Sequence, residues 1–243
     1  MKKFLFTIVC VFCIPFSINA KEYHANEITR CGRDNMFTCD KKGRLLTGIV
    51  KWDSNGILVK SPYERGRING IEKYYRPDGT LKTEIPYSNG NVHGILKHYR
   101  QNGTLETEAP FKNNKNDGIQ KSYDKNGNLW NEMPHKNDKA EGISKTYYPN
   151  GNLANETPYK NNEMEGISKS YYPNGNLKSE TPYRKSKIEG ILKTYYPNGN
   201  LWSETPYKNS KKEGISKSYY PNGNLWIERL YRNDKIEWEK KVN

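Results

Sequence analysis

The sequence predicts an all-β protein: tandem β-hairpin repeats of 24-residue period, forming an elongated single-sheet ribbon or solenoid behind a signal peptide. Three observations carry that expectation. Gly-Ile recurs at Gly48, Gly70, Gly94, Gly118, Gly142, Gly166, Gly190 and Gly214, and after a first step of 22 residues every step is 24. A second glycine, mostly preceded by Asn, keeps phase with it at Gly56, Gly79, Gly103, Gly127, Gly151, Gly175, Gly199 and Gly223. The chain is also only 33% hydrophobic, below the ~45–50% of ordinary domains. That is too little for one large core, while 19 tyrosines argue against disorder.

Residues 1–20 have the layout of a secretory signal: Lys2 and Lys3, an apolar run from Phe4 to Phe16, and a small residue at Ala20. The run is short for a bilayer span, so cleavage is expected, with an uncleaved anchor as the alternative. Cys10 and Cys13 lack a lipobox-like sequence before them. The expected location is secreted, periplasmic or on the cell envelope, with no transmembrane segment after cleavage. Residues 21–45 form an N-terminal segment whose two cysteines, Cys31 and Cys39, lie eight apart and read as one disulfide in an oxidising compartment. A metal pair would need two further ligands, and His24 alone does not supply them.

Residues 46–243 are the repeats, and the unit from Gly142 to Glu165 shows how each is built. Ile143 to Tyr148 has the β-branched and aromatic character of a strand. Pro149-Asn150-Gly151 is turn chemistry: proline sets φ for the second position of a type I turn, and glycine takes the left-handed position. A three-residue loop with a glycine bulge results. Leu153 to Tyr159 is the returning strand, and Lys160 to Glu165 is a polar link.

This loop sets a register in which Tyr147 faces Leu153 and Ile143 faces Thr157. Period-2 alternation then puts Ile143, Lys145, Tyr147, Leu153 and Tyr159 on one side. Ile, Tyr and Leu recur in these columns, so Ile143, Tyr147, Leu153 and Tyr159 are the expected repeat core. The other face holds the columns that drift, such as Trp130, Ala154, Lys178 and Trp202 at one position. Two strands per unit advance the sheet by roughly 10 Å, so eight units give a ribbon on the order of 80 Å long. Open strand edges allow two copies to pair edge to edge.

The unit Gly-Ile-x-Lys-x-Tyr-Tyr-Pro-Asn-Gly-Asn-Leu-x-x-Glu-Thr-Pro-Tyr resembles the MORN-repeat variant, found in bacterial proteins labelled YwqK-type antitoxins. The resemblance runs from about Leu46 to the end. It implies hairpin repeats and an interaction module for proteins or membrane lipids. The antitoxin label implies a cytosolic toxin partner, with which the signal peptide conflicts.

The formal charge is +13, and without Lys2 and Lys3 the remainder keeps about +11, so anionic partners fit. Lysines from Lys73 to Lys217 and glutamates from Glu84 to Glu228 recur at fixed positions. Such period-locked charges are expected to cover tyrosine rings and pair across strands. Trp130, Trp202 and Trp226, with Lys178, are the candidate partner-binding residues on the drifting face. No catalytic signature appears: His24, His93, His98 and His135 share no spacing, and Gly-Ile-Ser-Lys is not a nucleophile elbow. Asn155-Glu156-Thr157 matches a glycosylation sequon. The expectation is a non-enzymatic protein without cofactor or metal, binding a protein or an anionic cell-envelope surface. An immunity-like protein and an envelope spacer are the alternatives, and nucleic acid is not expected.

Overall fold

The computed structural model describes residues 21–32 and 37–242, so the expected signal peptide lies outside the described residues. The repeats form one 25-stranded sheet in which consecutive long strands are neighbours. All its pairings are antiparallel except the first, where β1 (Glu22–His24) lies parallel to β4 (Gly48–Ser54). Between them, β2 (Ile28–Cys31) and β3 (Phe37–Asp40) form a separate hairpin. The Cys31–Cys39 disulfide bridges it, with Cα atoms 5.9 Å apart. This hairpin docks on the first unit. Thr38 N–H donates to the Gly66 carbonyl at 2.8 Å, and Leu46 and Cys39 are each 1% exposed beneath it.

β4 and β5 (Ile57–Glu64) are joined by Asn55 and Gly56, both at positive φ, as a two-residue hairpin turn requires. The later units use the Pro-Asn-Gly type of loop. Tyr148 N–H donates to the Asn152 carbonyl and Gly151 N–H to the Tyr148 carbonyl, both at 2.8 Å. Gly151 sits at φ 84°, and Tyr147 pairs with Leu153. Beyond that pair the register slips at a β-bulge between Thr146 and Tyr147: Thr146 pairs with Asn155, leaving Ala154 extra.

The bulge corrects the expected register and the expected face. Ile143 pairs with Pro158, not Thr157, and Tyr159 pairs with Gly142. One face therefore carries Ile143, Lys145, Tyr147, Leu153, Glu156 and Pro158. The other carries Ser144, Thr146, Asn155, Thr157 and Tyr159. Tyr159 has crossed to the face opposite Ile143.

Burial follows the second face. Among the described repeat strands every buried side chain except Pro62, which stands opposite Ile49, lies there: Val50, Val59, Ser61, Glu72, Thr83, Ala109, Ser122, Ser144, Ala154, Thr205, Ser216 and Ile227. Ser144 is 7% exposed, whereas Ile143 beside it is 53% exposed and so is not a core residue. Tyr147, Leu153 and Tyr159 are half-buried. The buried columns are mostly small or polar, and hydroxyls satisfy one another between units. Thr157 Oγ1 meets Ser168 Oγ at 2.9 Å, and Thr205 Oγ1 meets Ser216 Oγ at 2.8 Å. Columns of Ser, Thr and Ala vary in identity without changing their fit, so drift here marks a thin layer of small residues as well as solvent.

The polar link is also more ordered than its composition suggests. Asn161 and Asn162 both have positive φ and form a second two-residue turn, after which Glu163–Met164 pairs back on Tyr159 and Lys160. The returning strand thus pairs with the next long strand through Asn155 and Glu156, and with this short strand through Tyr159 and Lys160. Pro158 occupies the switch between the two registers, where a missing N–H costs no ladder bond. A Cβ on Gly166 would stand 3.1 Å from Pro158 Cγ, so the Pro and Gly columns recur together.

Candidate interaction surface

Each hairpin is fastened to its neighbours by the same contacts. Tyr148 OH donates to the Tyr171 carbonyl at 2.7 Å, Tyr172 to Tyr195 and Tyr196 to Tyr219, both at 2.8 Å. Arg100 occupies the same column and does the same work, with Nη2 donating to the Tyr123 carbonyl at 2.7 Å. At the opposite rim Glu165 accepts from Lys185 N–H at 2.8 Å and Glu189 from Asn209 N–H at 2.8 Å. A unit cut from its neighbours would lose both rims' contacts.

Across the isoleucine face the recurrent charges form one ladder. Lys97 pairs with Glu84 and Glu108, Lys145 with Glu132 and Glu156, and Lys193 with Glu180 and Glu204. The alternation runs from Lys73 to Glu228 and on to Lys240. Lys73–Glu84 closes to 3.2 Å and Lys121–Glu108 to 3.8 Å. The tyrosine column bonds to the same carboxylates, one unit back, at 2.8–2.9 Å: Tyr147 donates to Glu132, Tyr171 to Glu156 and Tyr195 to Glu180. Burial first, and then this bond to a carboxylate, push the Tyr147, Tyr171 and Tyr195 phenols up to about 12. The ladder is a structural element in which charges of opposite sign alternate and the carboxylates accept from tyrosines.

Beside it runs an unsatisfied one. Ile71, Ile95, Ile119, Ile143, Ile167, Ile191 and Ile215 are 47–54% exposed. Six of them stand opposite a proline, from Ile71 on Pro86 to Ile191 on Pro206, and Ile215 stands opposite Leu230. The result is a continuous apolar stripe along the sheet. Outside the stripe, at the rim, lie cross-strand pairs of cations: Lys112 with Lys115, Lys136 with Lys139, Arg184 with Lys187, Lys208 with Lys211 and Arg232 with Lys235. Only Lys160 with Glu163 breaks the row between them. All these side chains are exposed.

Trp130, Trp202 and Trp226 lie on the other face, at the bulge position also held by Ala154 and Lys178. Trp130 and Trp202 are each 48% exposed and Trp226 37%. Two are partly covered from within: the Trp202 and Tyr196 rings are 6.2 Å apart, and those of Trp226 and Tyr220 5.8 Å. Lys178 Nζ lies 5.8 Å from the centre of the Tyr172 ring. The three tryptophans make no continuous row, because buried Ala154 and Lys178 separate Trp130 from Trp202.

The structure thus brings together two features not expected from the sequence, the exposed isoleucine row and the cation row. A legible signal existed for the second. Read as a two-residue turn, Asn113-Asn114 places Lys112 directly opposite Lys115. No group of three or more His, Cys, Asp or Glu able to hold a metal is present among the described residues. No helix among them is long and apolar enough to cross a membrane.

The family model described as MORN repeat variant matches residues 68–89, 92–113, 116–137, 140–161, 164–185, 188–209 and 212–233. The chain belongs to the MORN repeat variant family. No curated protein matches it. Each MORN repeat variant match begins in the short strand after the two-residue turn and ends in the next such turn. One match therefore spans the isoleucine stripe and the charge ladder once. Repeats of this kind suit a protein-binding role, in which successive units present the same contacts.

Proposed function

We propose that the protein is an exported, non-enzymatic binding module that holds a protein partner along the isoleucine face of its repeats. The observation that carries this reading is the stripe of half-exposed isoleucines, Ile71 to Ile215, recurring at seven consecutive hairpins. Single exposed apolar residues are ordinary on a protein surface, but a contiguous row marks an interaction site. Near-identical units supply additive contacts, so affinity grows with the number engaged. Export is supported by the character of residues 1–20, and by a disulfide pairing suited to an oxidising compartment.

The test is capture from secreted and envelope fractions at low and high salt, with the protein and two variants. A defined protein retained at high salt, lost from I119S/I143S/I167S and kept by W130A/W202A, is the expected result. Retention by the isoleucine variant with loss from the tryptophan variant would move the site to the opposite face. Binding only to anionic surfaces and washed off by salt would overturn the proposal. N-terminal sequencing of the exported form, expected to begin at Lys21, tests the localisation separately.

A further inference from the structure

The isoleucine stripe has two different flanks. On its inner side is the Lys/Glu ladder, whose charges alternate in sign. On its outer side is the cation row, where like charges stand directly opposite one another, an arrangement that costs stability in a sheet. Among the described residues, only Arg232 of these cations meets a carboxylate within 4.0 Å, Glu237 at 3.0 Å. Acids are available nearby, yet Glu141, Glu165, Glu189 and Glu213 are turned to the backbone of the next turn. Among the described residues, four of these six consecutive turns therefore hold a cation pair with no carboxylate within 4.0 Å, and Lys139 alone of those cations has a side-chain hydrogen bond, to Asn161 Oδ1 at 3.3 Å.

A surface with an apolar stripe, a basic flank and a neutral flank is complementary to a polypeptide with an apolar stripe and acids along one side. The spacing narrows its form. Isoleucines recur every two strands, roughly 9.5 Å, and seven residues of an α-helix rise about 10.5 Å. A helix lying across the hairpins would offer one apolar contact per heptad to each isoleucine in turn, drifting by only about 1 Å per unit. An extended strand rises about 3.3 Å per residue, so its third residue falls at this spacing but on alternating faces.

We infer that the isoleucine stripe and its cation row dock an amphipathic α-helix of heptad periodicity with acidic residues on one flank. This deepens the proposed function and rests on it. A lipid surface fits less well. The glutamates of the ladder lie beside the stripe, and sinking the isoleucines into hydrocarbon would carry those carboxylates toward it. A plain polyanion would have no use for the stripe.

The test uses the purified protein and labelled peptides of about 28 residues, four heptads. One has Leu at the two apolar heptad positions and Glu on one flank. A second carries Lys on that flank, and a third keeps the composition but scrambles the Leu spacing. Fluorescence anisotropy is expected to show the acidic heptad peptide binding at least tenfold tighter than either control. I119S/I143S/I167S should weaken it tenfold or more, and so should K136E/K139E/K160E. Far-UV circular dichroism and the melting midpoint show that both variants keep the sheet.

Equal binding of the scrambled peptide, or indifference to the isoleucine variant, would reduce the interaction to charge and overturn the inference. So would preferential binding of heparin or anionic vesicles that the isoleucine variant retains. If the peptides fail while the isoleucine variant still loses a captured protein, the face stands and the helical partner is refuted. If the isoleucine variant loses nothing in either assay, the proposed function fails with it.

Discussion

Ile143→Ala and Ile227→Ala make the same chemical change on opposite faces, and the structure assigns them different costs. Fully burying an isoleucine side chain is worth about 1.5–3 kcal/mol. Ile143 keeps 53% of its surface in water, so only about half of that is at stake, roughly 1 kcal/mol. Ile227 is 1% exposed, and its truncation also leaves a cavity, for a total of about 2–5 kcal/mol. A tandem array need not unfold in one step, so a single global midpoint would blur the comparison. Native-state hydrogen exchange avoids this by reading the opening free energy of the strands Gly142–Tyr147 and Leu225–Arg232 separately. The expected outcome is a small loss in the first variant and a loss at least twofold larger in the second. If Ile143→Ala costs as much as Ile227→Ala, the isoleucine face is the core and the opposite face is not.

Three further outcomes are expected. In a spectrophotometric titration the column from Tyr99 to Tyr219 should ionise near pH 12, above the ordinary value near 10, because burial and the neighbouring carboxylates favour the neutral phenol. With folded pKa values raised, the stabilisation is complete below pH 10 and is lost as pH rises toward 12; a single tyrosine transition near 10 in the folded protein would contradict the ladder. Lys185 holds positive φ in a two-residue turn, so K185N should raise local stability by up to about 1 kcal/mol, and hydrogen exchange showing no gain would contradict the turn assignment. Gly175→Ala faces only its φ of 90°, with nothing within 4 Å, whereas Gly166→Ala also meets Pro158; the second should cost more than the first by at least about 1 kcal/mol in urea unfolding, and P158A should recover part of that excess.

The architecture was legible because periodicity needs no knowledge of packing. Gly-Ile and Asn-Gly in phase fix two strands and a turn per unit, and the Pro-Asn-Gly loop set Tyr147 against Leu153 as found. The face assignment was not legible, for two physical reasons. A bulge leaves no mark in the hydrophobic pattern, since Ala154, Lys178 and Trp202 all tolerate it, yet it moves Tyr159 and every residue from Asn155 onward to the other side. Constancy of a column between repeats also reads, by itself, as a sign of burial. In a single-layered sheet that inference reverses, because the buried layer is thin and any small residue fills it.

That reversal bears on why the isoleucines persist. Tyr and Glu recur because each Tyr donates to a particular carboxylate one unit away, and Pro and Gly recur because each occupies the other's space. The isoleucines have no comparable internal contact: about half of each side chain faces water, opposite a proline in six units and opposite Leu230 in the seventh. Seven identical choices at a position the fold leaves free point to a requirement outside the chain. The cation row shows the same signature from electrostatics, with repulsive pairs kept where one glutamate per turn, as at Glu163, would remove the repulsion. Two rows, side by side on one face and both unexplained by folding, are what the proposed helical partner would account for.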